Sequence, residues 1–415
     1  MTDTLDIWLG GIKVGRIVRT PGEYNALSFD EGYRRMARPP ILSLSFLRPD
    51  FTLRRDPRPT ARTLPPFFAN LLPEDKLREA MERHHSQAVR PGNDFDLLAA
   101  LGPDLPGAVR ALPADGLPIP SPASAASGKA RFSLAGVQMK LSVMKNHGKE
   151  GGITLPVGDT DDGRYIAKFP SLTHVGLSEN EFAMLALSEA LGMDVPEREL
   201  VDKAEFDGVP PEFNTLSTGR VLLVRRFDRG AAGERVHMED FCQIFGQPPS
   251  EKYAAAASHD VAAVIGRAVS LDAAIEYVKR LAFAALTGNG DMHLKNWSLT
   301  YPGAGTTPAL APVYDVLSTV AYLPGDDLAL SLGGTRSFKA LTKDRWENFA
   351  SRAALPRGAV HSAVASVVAQ VNEIWWTLPE RDVVPNDVLA RIDDHVRMMS
   401  PILDSSFSPA SSPEP

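Results

Sequence analysis

Apolar and polar residues alternate from Leu5 to Val18, and a Gly10-Gly11 pair interrupts them, so LDIWLGGIKVGRIV predicts a β-hairpin. A second alternating run, PPILSLSFL at Pro39–Leu47, predicts another strand. The period then lengthens: LPPFFANLLPEDKLREAMERHH has helical spacing, with Leu77 and Met81 on one face. DFDLLAALG at Asp94–Gly102 predicts a short helix, with an Asp at the N-cap and a Gly at the end. Residues 1–112 are therefore expected to form a small α+β domain.

LPADGLPIPSPASAASGKA carries no periodicity and is rich in Pro, Ser, Ala and Gly, which predicts a linker over 113–131. Beyond it, GGITLP, GRYIAKFP and GRVLLVRRFDR predict strands. SENEFAMLALSEALGMDVP predicts a helix capped by Ser178, with Glu181 at the capping-box position. SLDAAIEYVKRLAFAALTGNG lines Ile275, Val278, Leu281, Ala282, Ala285 and Leu286 along one helical stripe. PALAPVYDVLS predicts a strand leading into a turn, and the stretch from Thr342 to Leu403 is mostly helical. The boundaries expected here are 132–230 and 231–403, with a disordered tail at 404–415.

Composition narrows the class. A chain of 415 residues exceeds the usual size of one core, so several domains are expected. No apolar run is long enough to span a bilayer, and the first residues lack the basic and apolar regions of a signal peptide. One cysteine, Cys242, excludes an internal disulfide and a cysteine-rich metal site. A soluble cytoplasmic protein is expected. The net charge of −7 argues against a broad nucleic-acid surface, although residues 1–130 hold 17 Lys and Arg against 15 Asp and Glu.

The candidate chemistry lies in TGNGDMHLKNWSL, Thr287–Leu299. It sets a carboxylate, an imidazole, an ammonium and a carboxamide in one short loop. Asp291 and Asn296 have the Asp-x-x-x-x-Asn spacing of protein kinases, where the Asp accepts the substrate hydroxyl proton and the Asn holds a magnesium ion. Asp315, about twenty residues later, is placed either to supply a second metal carboxylate or to cap the next turn. Lys168 closes an apolar strand where it can meet phosphates, and Glu181 either pairs with it or completes a capping box. In FSLAGVQMKLSV, small residues precede Gln138 and Lys140, a turn whose backbone N–H groups can approach phosphate oxygens. His84, His85, Trp375, Trp376 and Cys242 read as cap, packing or core residues.

SLAGVQMK, AKFP, SENEFAMLALSEALGMDVP, LLVRRFDR, EDFCQIFGQPPSEKY, GNGDMHLKNWSL and APVYDVLS occur in the order and spacing of HipA-family serine/threonine kinases, toxins of bacterial HipBA toxin–antitoxin systems. LPPFFANLLPEDKLRE and DFDLLAALGPDLPGAVRAL extend the resemblance to roughly residues 5–400.

The resemblance implies an α+β, two-lobed protein-kinase-like fold with an N-terminal α+β subdomain and a mostly helical C-terminal lobe. ATP with Mg²⁺ would bind between the lobes, with 132–230 as the nucleotide-binding region and 231–403 carrying the catalytic loop. It makes Asp291 the catalytic base, and Asn296 and Asp315 the magnesium ligands. His293, Lys295 and Tyr314 line the nucleotide, and Lys168 meets its phosphates. Ala135, Gly136, Val137, Gln138 and Lys140 belong to the phosphate loop, and Arg225 to Phe227 border the adenine. Ser133 matches the serine on which family members autophosphorylate, which switches them off. Implied partners are a HipB-like helix-turn-helix antitoxin, operator DNA mainly through that antitoxin, and a protein substrate such as an aminoacyl-tRNA synthetase. The chain departs from the family pattern at Met139, where a Glu is usual, and at Arg225, where an acidic residue is usual. A catalytically weak ATP-binding corepressor and a small-molecule kinase are the other readings open at this point.

Overall fold

The Gly10-Gly11 turn joins β1 (Thr4–Leu9) to β2 (Ile12–Thr20), with Leu9 paired to Ile12 and Gly10 at φ +58°. The structure is a computed structural model that describes residues 3–114, 140–145, 153–154, 163–171, 173–207, 219–230 and 233–405. The chain divides into two units. One comprises Met1–Leu172, Glu197–Lys252 and Ser298–Ala311, the other Thr173–Pro196, Tyr253–Trp297 and Pro312–Pro415.

In the first unit, β3 (Tyr24–Phe29), β4 (Thr60–Ala61) and β5 (Val109–Pro113) extend the hairpin into an antiparallel sheet of order β4-β3-β2-β1-β5. Its alternate residues Leu5, Ile7 and Leu9 are buried. They share a core with residues of three helices, α2 (Pro66–Ala69), α3 (Asp75–His84) and α4 (Asp94–Leu101); α1 (Glu31–Arg34) precedes them in the chain. Leu77 and Met81 face inward as their spacing predicts. The cap of α4 is Asn93 rather than Asp94: its Oδ1 accepts from the Asp96 N–H at 3.0 Å.

The Pro39–Leu47 run is not a strand. Pro39 and Pro40 offer no N–H to a ladder. Ser43 Oγ accepts from the Ser45 N–H and opens a 3-10 turn over Leu44–Phe46, so only an isolated bridge joins Leu47 to Leu53. Its apolar residues Ile41, Leu42, Phe46 and Leu47 are nevertheless buried.

A second sheet contains β6 (Lys140–Lys145), β7 (Ile153–Thr154), β8 (Tyr165–Lys168), β9 (Arg198–Asp202), β10 (Phe206–Asp207) and β11 (Arg220–Arg225), in the order β10-β7-β6-β8-β11-β9. A third joins β12 (His237–Asp240), β13 (Ser298–Tyr301) and β14 (Ala309–Leu310); α6 (Phe241–Ile244) follows β12.

The second unit includes α5 (Leu177–Ala190), α7 (Ser258–Ala268), α8 (Leu271–Thr287), α9 (Lys343–Ala353), α10 (Arg357–Ile374) and α11 (Asn386–Ser405). Helix α8 is its centre and packs against α7, α10 and α11. Ser270 Oγ caps α8 by accepting from the Ala273 N–H, and Gly288 ends it at φ +72°.

Two expectations fail in this unit. The N-cap of α5 is Gly176, at φ +72°, so Ser178 and Glu181 lie within the helix and are buried, and no capping box forms there. A Cβ at Gly176 would also meet Pro385 Cδ at 2.5 Å. The strand read in PALAPVYDVLS is only the two residues of β14. Pro312 lacks an N–H, Val313 donates its own to the Asp194 carbonyl at 2.7 Å, and Asp315 turns to φ +56°. Among the described residues no helix is long and apolar enough to cross a membrane.

Candidate active site

Helix α8 delivers the polar loop. Its final residues are buried on every side, and Gly288 redirects the chain so that Asn289 to Trp297 run back beneath the helix end. Thr319 anchors the turn: its hydroxyl accepts from the Gly290 N–H at 2.7 Å, and its own N–H donates to the Gly288 carbonyl at 2.9 Å. Nothing larger than Gly fits at 290, since a Cβ would lie 2.2 Å from Asp326 Oδ2 and 2.6 Å from the Asp327 carbonyl oxygen.

Within the loop Asp291 is held at both ends of its backbone. Its N–H donates to Asn289 Oδ1 at 3.0 Å, and its carbonyl accepts from the His293 N–H and from Asn296 Nδ2, each at 2.8 Å. Asn296 is buried, and because its nitrogen faces a carbonyl its Oδ1 is the atom left to receive a donor or a cation. Trp297 fixes the far end: its Nε1 donates to the Met292 carbonyl at 3.2 Å and its ring lies edge-on to Tyr277.

The Asp291 carboxylate is half-buried and accepts at Oδ1 from the Tyr253 hydroxyl at 2.6 Å. The Tyr253 ring stands edge-on to His293, with centroids 5.0 Å apart. Sequence reasoning did not single out Tyr253, Asn289 or Thr319. Asn289 could have been found from its place two residues before the carboxylate, where an Asn side chain reaches a backbone N–H. Tyr253 closes the motif EDFCQIFGQPPSEKY, which marks the residue without giving it a role, and Thr319 is remote in the chain and carries no local signal.

Tyr314 reaches the same loop: its Oη donates to the Lys295 carbonyl at 2.9 Å, and Asp315 follows it in the chain. Asp315 sits at φ +56°, in the left-handed region that Asp and Asn enter more readily than other non-glycine residues. Asn296 Oδ1 and the Asp315 carboxylate are hard oxygen donors, the set that suits Mg²⁺, which takes one or two side chains plus phosphate and water. Among the described residues no cluster of three or more His, Cys, Asp or Glu is arranged to hold a metal, which leaves no competing site of that kind.

The sequence-predicted residues of the first unit lie on neighbouring strands. Lys140 on β6 pairs across the ladder with Lys168 on β8, which pairs in turn with Leu222 on β11. Both lysines are buried. Arg225, at the end of β11, forms an ion pair with Glu197 at 3.1 Å. Phe227 is half-buried and lies between Arg226 and Asp228, which bond to each other at 2.7 and 2.9 Å. The Asp228 carboxyl is buried, yet the charges of Arg226 and Arg229 hold it well below the usual carboxylate range. Arg229 also reaches Asp104 at 2.8 Å, so the backbone on either side of Phe227 is rigidly tied. Ser133, Ala135, Gly136, Val137 and Gln138 lie outside the described residues.

Comparison with known proteins places the chain in a family. Residues 132–375 match the family profile of the HipA-like C-terminal domain, and residues 5–112 that of the HipA N-terminal domain. The chain is 40% identical over 397 residues to the Sinorhizobium fredii protein named "Putative kinase Y4dM", covering 94% of this chain and 96% of that one. It is 28% identical over 362 residues to the "Serine/threonine-protein kinase toxin HipA" of Shewanella oneidensis, covering 77% and 76%. Among solved structures it resembles the HipA chain of a Shewanella oneidensis HipA, HipB and operator DNA complex, with a TM-score of 0.72 at 23% identity over 97% of both chains. The fold is therefore the α+β, kinase-like fold expected from the motifs. With both profiles matched in order and a relative this similar along nearly its whole length, the chain belongs to the HipA family.

Proposed function

We propose that this protein is an ATP-dependent serine/threonine protein kinase acting as a growth-arresting toxin. The observation that carries the reading is the loop Asn289–Asn296. It fixes the backbone of Asp291 through three hydrogen bonds and leaves Asn296 Oδ1 without a partner among the described residues. A base and a neutral oxygen ligand on one rigid loop are what phosphoryl transfer to a hydroxyl needs.

In this reading the acceptor hydroxyl attacks the γ-phosphorus of ATP. The bond from that phosphorus to the β–γ bridging oxygen breaks, ADP leaves, and the hydroxyl proton passes to the Asp291 carboxylate. Asn296 and Asp315 hold Mg²⁺, which supplies charge neutralisation to the phosphates when bound. Lys140 and Lys168 attract the same phosphates, and His293, Lys295, Tyr314, Arg225 and Phe227 border the nucleotide. Autophosphorylation at Ser133 switches the enzyme off. The protein substrate is a translation component such as an aminoacyl-tRNA synthetase. A HipB-like antitoxin restrains the toxin and carries it to operator DNA; the complex in which the Shewanella oneidensis relative was solved supports that assignment.

Incubation of the pure protein with radiolabelled ATP and Mg²⁺ tests the reading. Label is expected on the chain itself or on an added cell extract, and Asp291→Ala should cut the label to a small residual rate and relieve the growth arrest on overexpression. Absence of label on every protein, with arrest unchanged in Asp291→Ala, would rule the kinase out.

A further inference from the structure

Helix α7 is preceded by a turn that contains Tyr253, the residue whose hydroxyl lies 2.6 Å from Asp291 Oδ1. The residue is 39% exposed, so burial does not account for its placement. Its contacts include Arg336, whose Nη2 donates to its carbonyl at 2.5 Å, and His293, which meets the ring edge-on. The backbone of Asp291 is fixed independently of Tyr253, by Asn289, His293 and Asn296. What the backbone bonds leave undetermined is the rotation of the carboxylate. Among the described residues Tyr253 is the only group bonded to it, and it engages one oxygen, leaving Oδ2 open.

From this asymmetry we infer that Tyr253 is the positioning residue for the catalytic base: it locks Oδ1 so that Oδ2 faces the acceptor hydroxyl. The inference rests on the kinase reading above and adds a residue to it. A phenol suits the task because its hydroxyl is carried on a rigid ring with only two side-chain torsions, and the ring itself is braced by His293. A plug occupying the acceptor's place would have the opposite effect on turnover, so the two roles separate experimentally.

Tyr253→Phe removes the hydroxyl while keeping the ring, its contact with His293 and the carbonyl that receives Arg336. Expected is a fall in kcat for protein phosphorylation of about tenfold or more, with KM for ATP and thermal stability unchanged. In an Asp291→Ala background the same substitution should have no further effect on the residual rate, because there is no carboxylate left to orient. A kcat equal to or above wild type overturns the inference, as does a change confined to KM for ATP, or a full effect in the Asp291→Ala background. These results leave the kinase reading standing, since they require an active wild type. Wild-type protein that labels nothing overturns both.

Discussion

Asn296 donates its carboxamide N–H to the carbonyl oxygen of Asp291 across 2.8 Å, so the two residues five apart in sequence form one rigid piece. One carboxamide thereby braces the loop through nitrogen, and in the kinase reading proposed above its oxygen is the atom that meets the cation. Asn296→Asp separates the two tasks, because a carboxylate retains the oxygen and loses the donor. Loss of one such bond is expected to lower stability by about 1 kcal/mol in denaturant unfolding. Phosphoryl transfer should fall at least tenfold even at saturating Mg²⁺. Turnover like that of wild type would show that the brace has no part in catalysis.

Asp315 provides a second separation of fold from chemistry. Its φ of +56° is accessible to Asn and Asp at small cost and poorly accessible to β-branched residues. Asp315→Asn should therefore fold as the wild type does, within a few degrees of its Tm, while transfer falls by about a hundredfold as a charged oxygen ligand is lost. Asp315→Val should lose the same activity and also stability, by about 1–3 kcal/mol. Paired melting curves and initial rates for the two variants check both halves.

Gly290 is required for space rather than for conformation, since it is not among the positive-φ glycines. Its missing Cβ leaves room for the Asp327 carbonyl, which as backbone cannot swing aside as a flexible side chain would. Gly290→Ala is expected to cost about 1–3 kcal/mol through overpacking. It should also depress kcat by displacing the Asp291 backbone that the Gly290–Thr319 bond supports. A variant with wild-type stability and rate would mean that the 319–327 segment yields easily.

The reach of sequence reasoning follows the range of the forces involved. The β1–β2 hairpin and helix α8 were legible because a Gly-Gly turn and an apolar stripe at helical spacing act within a few residues. The pairing of Asp291 with Asn296 was legible as spacing, and the structure adds the hydrogen bond that explains why the spacing matters. The strand readings of Pro39–Leu47 and of the run after Ala309 failed because apolar alternation was counted without the missing N–H groups of the prolines. Ser178 looked like a cap because its hydroxyl and Glu181 have the right offset, yet Gly176 starts the helix two residues earlier. Tyr253 lies in the motif EDFCQIFGQPPSEKY, but its bond to Asp291 spans 38 positions and was not legible from either stretch.

Away from the loop, His237 and Glu239 on β12 bury two titratable groups with opposed responses to pH. Burial raises the Glu239 carboxyl to about 7 from its ordinary 4.5, despite hydrogen bonds from Ser43, Tyr301 and the Leu44 N–H, and the nearby Asp240 charge adds to the rise. Burial lowers the His237 imidazole to about 4 from 6.5, although its Nε2 donates to the Leu42 carbonyl, and its ring stacks on Tyr301. The folded state holds the Glu239 proton more tightly than the unfolded chain does, so its contribution to stability is lost as pH rises from 4.5 through 7. The folded state resists protonating His237, so that contribution is lost as pH falls from 6.5 through 4. Each slope is about 1.4 kcal/mol per pH unit, and between pH 4.5 and 6.5 they cancel. The wild type should therefore show little pH dependence from this pair, and single substitutions should expose it. Glu239→Gln should lose stability as pH falls from 6.5 toward 4, whereas His237→Asn should lose it as pH rises from 4.5 toward 7. Unfolding free energies measured across that window in both variants decide the matter, and parallel profiles in the two would contradict it.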